Sequence, residues 1–160
     1  MSSRRSRGPG RRSGKRLSVT SREVTTSSPE ETLAFGRRLA GELQAPALVL
    51  LYGDLGAGKT TLVKGIVSGL GLAREDEVTS PSFVFVHVFG DGLRLYHVDL
   101  YRIEQSAELE TLGLDDLLAE KAIVLVEWAE RLSLPAPAPA VRVRLETVSD
   151  QQRRIRVEGG

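Results

Sequence analysis

The sequence predicts an α/β fold in which helices flank a mixed sheet of parallel and antiparallel strands. Continuous apolar runs at residues 47–52 and 122–126 are typical of strands that are buried on both faces. Two pairs of strand-like runs, within residues 83–99 and 141–158, are each joined by a short turn and therefore indicate antiparallel hairpins. The chain of 160 residues is long enough for one compact domain, so we expect a single sheet of mixed direction.

The predicted elements follow one another along residues 17–158. Residues 17–26 are rich in β-branched side chains and predict a strand. Ser28 then precedes Pro29 and Glu31, a pattern typical of an N-cap with a capping box, so a helix should begin here and run to about residue 43. The remaining elements are a strand at 47–52, a helix over about 60–70, strands at 83–89 and 93–99, short helices at about 107–112 and 114–121, a strand at 122–126, a proline-rich connector at 135–139, and strands at 141–148 and 153–158.

The first 16 residues differ in composition from the rest of the chain. They carry seven basic residues and no acidic residue, and no apolar side chain occurs between residues 2 and 16. We therefore expect residues 1–16 to be a disordered basic arm and residues 17–160 to form the folded domain. The body then has 15 basic and 21 acidic side chains, which is unlike a surface that binds duplex nucleic acid.

Composition also excludes several kinds of site. The chain contains no cysteine, which rules out disulfides and thiolate metal sites and suits a cytoplasmic location. No apolar run reaches the roughly 20 residues that a membrane-spanning helix needs, so we expect no membrane association.

The segment Gly53–Thr60 carries the most specific chemical pattern, Gly-x4-Gly-Lys-Thr between a strand and a helix. Its glycines allow successive backbone N–H groups to point at phosphate oxygens near the positive end of the helix. Lys59 offers a positive charge to the β and γ phosphates, Thr60 offers a hydroxyl to Mg²⁺, and Thr61 can reach a phosphate nearer the nucleoside. We predict that ATP and Mg²⁺ bind here, with Gly53, Gly56, Ala57, Gly58, Lys59, Thr60 and Thr61 as the binding residues.

Two carboxylates at predicted strand ends compete for the metal and the attacking water. Glu127 follows the most apolar strand, the usual place of a metal-binding carboxylate in this kind of fold, and Asp99 ends the strand at 93–98. His97 lies two residues before Asp99 on the same strand face, where it can orient Asp99 or simply pack. The hydroxyl-rich segment 79–82 lies where P-loop proteins place a loop that senses the γ phosphate. Trp128, beside Glu127, is either a core residue or a neighbour of the base.

Four segments taken together resemble the TsaE (YjeE) family, bacterial ATPases of tRNA threonylcarbamoyladenosine biosynthesis. They are residues 53–61, 79–83, 97–102 and 126–128, and the resemblance extends over about residues 25–147. It implies that Thr60 and Glu127 contact Mg²⁺ and that Asp99 is essential for hydrolysis, so we take Asp99 and Lys59 as the catalytic candidates. It also implies that the start of the first helix lies near the adenine, which adds Glu30 to the nucleotide-binding candidates, together with Trp128.

The resemblance further implies a partner-dependent role. The chain would hydrolyse ATP slowly by itself and support a complex of TsaD and TsaB, which transfers a threonylcarbamoyl group to the adenosine beside the tRNA anticodon. It would not perform that transfer, and it would meet tRNA only through the complex. The residues alone leave a small-molecule kinase and a GTP-dependent switch as alternatives. The short segment 71–81 holds a single arginine, Arg74, which counts against a kinase lid, and the absence of a guanine-reading Asn-Lys-x-Asp segment counts against the switch.

Overall fold

The computed structural model describes residues 19–54, 56–78, 86–90, 92–101, 113–131 and 139–159. The predicted arm at 1–16, the hydroxyl-rich segment at 79–82, the short helix at 107–112 and most of the proline-rich connector lie outside these residues. In the described part of the chain, no helix is long and apolar enough to cross a membrane.

The secondary structure follows the predicted order. The elements are β1 (Arg22–Thr26), α1 (Pro29–Ala40), β2 (Ala47–Tyr52), α2 (Lys59–Gly69), β3 (Val86–Phe89), β4 (Leu95–Asp99), α3 (Leu114–Ala119), β5 (Ile123–Glu127), β6 (Val141–Thr147) and β7 (Arg153–Glu158). Two short 3-10 helices, Glu75–Glu77 and Ala129–Arg131, were not predicted. The first strand begins at Arg22, five residues later than expected.

Both ends of α1 differ from the prediction in detail. Ser28 caps the helix as predicted, since its hydroxyl oxygen accepts a hydrogen bond from the N–H of Glu31 at 3.1 Å. The predicted reciprocal bond is wrong, because the Glu31 carboxylate accepts from the N–H of Ser27 at 2.6 Å and not from that of Ser28. The helix ends at Ala40 and not near residue 43, because residues 41–43 form hydrogen bonds to the third residue before each, the tighter 3-10 pattern.

The seven strands in the described ranges form one mixed sheet in the order β1-β7-β6-β2-β5-β4-β3. The central strands β6, β2, β5 and β4 are parallel, whereas β1, β7 and β3 pair antiparallel with their neighbours. This arrangement confirms the predicted α/β class. It also brings the carboxyl ends of β2, β5 and β4 to one edge of the sheet, the edge at which α/β folds place their ligands.

Helices α1 and α2 cover one face of the sheet and contact each other through glycines. A Cβ atom on Gly65 would lie 2.3 Å from the carbonyl oxygen of Leu33, and one on Gly36 would lie 2.6 Å from that of Leu62. The two backbones therefore approach more closely than any larger residue allows. This contact fixes α2, and with it the loop that precedes α2, against α1 and the sheet.

The core consists of two apolar clusters, one on each face of the sheet. The cluster under α1 and α2 includes Phe35, Leu39, Leu62, Ile66 and Leu125, all of them buried. The opposite cluster contains Leu48, Leu50, Val124 and Val126, with Leu117 of α3 packed against it. Because β5 is buried on both faces, it holds its final residue, Glu127, in a fixed position at the sheet edge.

Candidate functional site

The loop between β2 and α2 depends on glycine for its backbone conformation. Gly53, Gly56 and Gly58 have φ angles of 150°, 82° and 101°, in the region that residues with a Cβ atom rarely adopt. At Gly53 a Cβ atom would also lie 2.7 Å from the carbonyl oxygen of Leu145 on β6. Gly58 is the N-cap of α2 and has no side chain with which to cap it. The first N–H groups of α2 therefore remain available at the positive end of the helix dipole, as anion binding requires.

Lys59 is the first residue of α2, and the loop curls around its ammonium group. The residue is buried, with 4 % of its surface exposed. Its Nζ donates to the carbonyl oxygens of Gly53 at 2.5 Å and Asp54 at 3.0 Å. Burial lowers the pKa of Lys59 below its usual value, while the surrounding carboxylates, Glu127 foremost, act in the opposite direction. The ammonium group is therefore poorly solvated, and an anionic ligand in the loop would compensate for that loss of hydration.

Glu127 lies directly against the threonine that follows the lysine. The Thr60 hydroxyl donates to the Glu127 carboxylate, 3.1 Å from each oxygen. On the other side, Nε2 of His97 lies 2.5 Å from Oε2 of Glu127, and both residues are buried. The sequence associated His97 with Asp99 on its own strand and did not predict this contact with the neighbouring strand. The result is a hydroxyl and a carboxylate side by side, both of them hard oxygen ligands suited to Mg²⁺.

Asp99 lies next to Glu127 at the sheet edge. The two residues are paired in the register of β4 and β5, and Asp99 is 3 % exposed. One carboxylate oxygen of Asp99 accepts the N–H of Tyr101 at 2.8 Å, which closes a turn after the strand. The two candidate carboxylates therefore occupy adjacent positions, and Glu127 is the one that accepts the hydrogen bond described for the Thr60 hydroxyl.

Trp128 borders the loop lysine. Its ring centroid lies 4.0 Å from Nζ of Lys59, a distance at which the ring face attracts the cation. The residue adopts φ 60°, a strained conformation for a non-glycine residue. The ring of Tyr101 lies 5.0 Å away, and the Arg131 guanidinium lies 5.6 Å from the Tyr101 ring and 5.9 Å from the Trp128 ring. Trp128 is half-buried and packs against the second apolar cluster, so it is a neighbour of the loop as well as a packing residue.

The start of α1 adjoins the same loop through Thr32. Its hydroxyl pairs with that of Thr26 at 2.7 Å, and its methyl group would lie 4.0 Å from a Cβ atom on Gly58. Glu30 is exposed in the first turn of α1, two residues before Thr32. Thr61 is half-buried in the first turn of α2. The start of α1 therefore lies beside the glycine-rich loop, and Thr32 is the residue of α1 that packs against this loop.

Two residues from distant parts of the chain also bind the loop backbone, and sequence reasoning missed both. The Glu130 carboxylate accepts the N–H of Gly53 at 3.3 Å. The Arg153 guanidinium donates to the carbonyl oxygen of Gly56 at 3.2 Å. Both contacts join residues more than 70 positions apart, so no local pattern in the sequence indicates them.

Comparison with known proteins relates the chain to one family. A family model described as "Threonylcarbamoyl adenosine biosynthesis protein TsaE" matches residues 26–155. A protein named tRNA threonylcarbamoyladenosine biosynthesis protein TsaE from Bacillus subtilis is 40% identical over 131 residues, which cover 81% of this chain and 80% of the relative. A protein of the same name from Streptomyces coelicolor is 43% identical over 132 residues, or 78% of this chain and 87% of the relative. Among solved structures, Bacillus subtilis YdiB superposes with a TM-score of 0.69 at 32% identity, covering 87% of this chain and 85% of that one.

Proposed function

The chain belongs to the TsaE family, and from that premise we propose that it serves tRNA threonylcarbamoyladenosine biosynthesis as an Mg²⁺-dependent ATPase subunit. The observation that carries the ATPase activity is the grouping of Lys59, Thr60 and Glu127 at the end of β2. A buried cation, a hydroxyl and a carboxylate beside a glycine-rich loop match what phosphoryl transfer from a nucleotide requires.

The loop and the helix that follows it would hold the phosphates. Backbone N–H groups at the start of α2 would donate to phosphate oxygens, and Lys59 would neutralise charge on the β and γ phosphates. Burial of Lys59 strengthens this interaction, because a charge pair in a desolvated site is less screened than one in water. We further propose that Thr61, Glu30 and Trp128 border the nucleotide, since α1 lies beside Gly58 and the Trp128 ring lies beside Lys59.

The residues present also fit a magnesium ion. We assign Thr60 and Glu127 as its protein ligands, because their oxygens already lie 3.1 Å apart. No cluster of three or more acidic or histidine side chains suited to a metal occurs among the described residues. This agrees with the preference of Mg²⁺ for one or two protein ligands completed by phosphate and water. When bound, the ion would neutralise charge that develops on the phosphate oxygens during transfer.

We assign Asp99 to the attacking water. It is buried one strand further from the loop than Glu127, and it does not need to bind the metal if Glu127 does. A carboxylate in this position can accept a hydrogen bond from water and orient it for attack. Glu127 would then bind the metal ion, and Asp99 would orient the attacking water.

A partner requirement completes the proposal. Within the family role, TsaD and TsaB would carry out the threonylcarbamoyl transfer in the cytoplasm, and ATP hydrolysis by this chain would reset their complex between rounds. The aromatic pair beside the site supports contact with a partner, because Tyr101 is 41% exposed although its ring packs at an angle against that of Trp128. An exposed aromatic side chain at the mouth of a site is a common anchor for a protein interface.

The test is steady-state ATPase activity of the chain alone and with TsaD and TsaB added, with and without Mg²⁺. We expect slow, Mg²⁺-dependent turnover of ATP by the chain alone and faster turnover with the pair, with Lys59→Ala inactive in both. GTP in place of ATP should give little turnover. Fast hydrolysis that is unchanged by the pair would contradict partner dependence, and a phosphorylated small-molecule product would favour the kinase alternative.

A further inference from the structure

Arg153, the first residue of β7, joins the turn between β6 and β7 to the glycine-rich loop. Its Nη2 donates to the carbonyl oxygen of Gly56 at 3.2 Å. Its Nη1 donates to three carbonyl oxygens of the turn, those of Ser149 at 2.9 Å, Asp150 at 3.2 Å and Gln152 at 2.9 Å. A guanidinium can serve two sets of acceptors at once because its donors form a rigid fork. The turn therefore acts as a fixed anchor from which Arg153 reaches the loop.

The peptide unit between Gly56 and Ala57 is held from both sides. Its carbonyl accepts from Arg153, and its N–H, that of Ala57, donates to the carbonyl oxygen of Asp54 at 3.0 Å. Packing holds only the Ala57 side of this peptide, because Ala57 is buried in the core whereas Gly56 is exposed and a Cβ atom placed on it would meet no described atom within 4 Å. Since the loop binds phosphate through backbone N–H groups, the orientation of each peptide decides where those groups point. The two hydrogen bonds therefore fix the orientation of the Gly56–Ala57 peptide on its exposed side.

Arg153 and its neighbour Arg154 have different partners for their charged side chains. All four hydrogen bonds described for Arg153 go to backbone carbonyls, which carry no net charge. Arg154 pairs instead with two carboxylates, Glu23 at 3.5 Å and Glu146 at 2.9 Å. Adjacent residues of a strand point to opposite faces, so Arg154 lies on the face of β7 away from the loop. Arg153 thus adds positive charge at the edge of the loop, whereas the charge of Arg154 is neutralised elsewhere.

We propose that Arg153 is a positioning residue of the nucleotide site, which holds the Gly56 peptide in the conformation that phosphate binding needs. The inference rests on the proposed binding of ATP. Because Arg153 acts on the loop and not on the reacting atoms, its loss should weaken nucleotide binding without slowing turnover at saturating ATP. An interaction of this kind raises KM and leaves kcat unchanged.

The experiment compares the full-length wild type with Arg153→Ala, Arg153→Lys and the control Arg154→Ala, which removes the same charge from the neighbouring position. Calorimetric titration with Mg²⁺ and ATP should show affinity about ten- to a hundredfold weaker in Arg153→Ala, as expected for loss of a hydrogen bond from a charged group. Arg153→Lys should be intermediate, because lysine keeps the charge but cannot span the turn and the loop together. Arg154→Ala should stay within about twofold of the wild type, as expected for a surface ion pair away from the loop.

Two further readouts separate positioning from a general structural role. We expect kcat at saturating ATP to be unchanged in Arg153→Ala, and the melting temperature without nucleotide to match that of Arg154→Ala. Equal affinity in Arg153→Ala and Arg154→Ala would overturn the inference, as would a fall in kcat at unchanged KM or a selective loss of melting temperature. A wild-type protein that fails to bind ATP would overturn the proposed function and this role together, whereas wild-type ATP affinity in Arg153→Ala would overturn this role alone.

Discussion

Replacing Lys59 with alanine tests the nucleotide site most directly. Lys59 is 4 % exposed, and its ammonium group lies among the carbonyls of Gly53 and Asp54, at the point where a phosphate would approach the loop. Loss of a hydrogen bond to a charged group costs roughly 1.5–3 kcal/mol, and burial favours the upper part of that range. We therefore expect ATP affinity to fall about 100-fold.

The measurement is calorimetric titration of ATP in the presence of Mg²⁺. Lys64→Ala is the matched control, because it removes one positive charge from the same helix five residues further on. The control should bind ATP nearly as well as the wild type. Both variants should keep the fold, since the described hydrogen bonds of Lys59 go only to loop carbonyls. Wild-type affinity in Lys59→Ala, or an equal loss in Lys64→Ala, would refute the reasoning.

The lowered pKa of Lys59 adds a pH dependence with a definite sign. Burial makes the free protein release the Lys59 proton below the usual value of 10.5, whereas a bound phosphate favours the protonated form. ATP affinity should therefore be constant below this lowered pKa and should decline as the pH rises through it. Lys59→Ala should show no such decline in the same range. An alkaline decline of equal size in both proteins would assign the effect to another group.

Three further perturbations probe the metal site, the helix contact and the arm. Glu127→Gln should suppress hydrolysis and abolish the Mg²⁺ dependence of ATP binding, whereas Asp99→Asn should suppress hydrolysis alone. If only Asp99→Asn altered the Mg²⁺ affinity, Asp99 would be the metal ligand and Glu127 the residue that orients the water. Gly65→Ala should lower the free energy of unfolding, measured in urea, by about 2–3 kcal/mol, because its Cβ atom would overlap a carbonyl of α1. The control Gly92→Ala should have little effect, because a Cβ atom there meets no described atom within 4 Å. Deletion of residues 1–16 should leave the melting temperature and the basal ATPase rate unchanged, since the arm has no apolar side chain between residues 2 and 16 to pack, and a large loss of stability would make it part of the fold.

The loop and most elements were predictable because their causes are local. The spacing of Gly53, Gly58 and Lys59 predicts a glycine-rich loop within eight consecutive residues, and the φ angles of its glycines agree with that pattern. The apolar runs of β2 and β5 specify buried strands by the same local logic. The errors occurred at element ends, where competing hydrogen bonds decide the outcome. The tighter 3-10 bonds after Ala40 and the choice of Ser27 by Glu31 are both of this kind.

Only the tertiary structure decided which distant residues meet at the loop. The sequence favoured Glu127 over Asp99 for the metal without showing which threonine it meets, and the placement of β5 beside β2 brought Glu127 to Thr60 across 67 positions of the chain. The same sheet order gave His97 its contact with Glu127 and carried Arg153 to Gly56. Strand order depends on hydrogen-bond pairing and packing between segments far apart in the chain, and a local residue pattern does not encode those contacts. The sequence by itself therefore determined the glycine-rich loop and the fold class, and the sheet determined which side chains surround that loop.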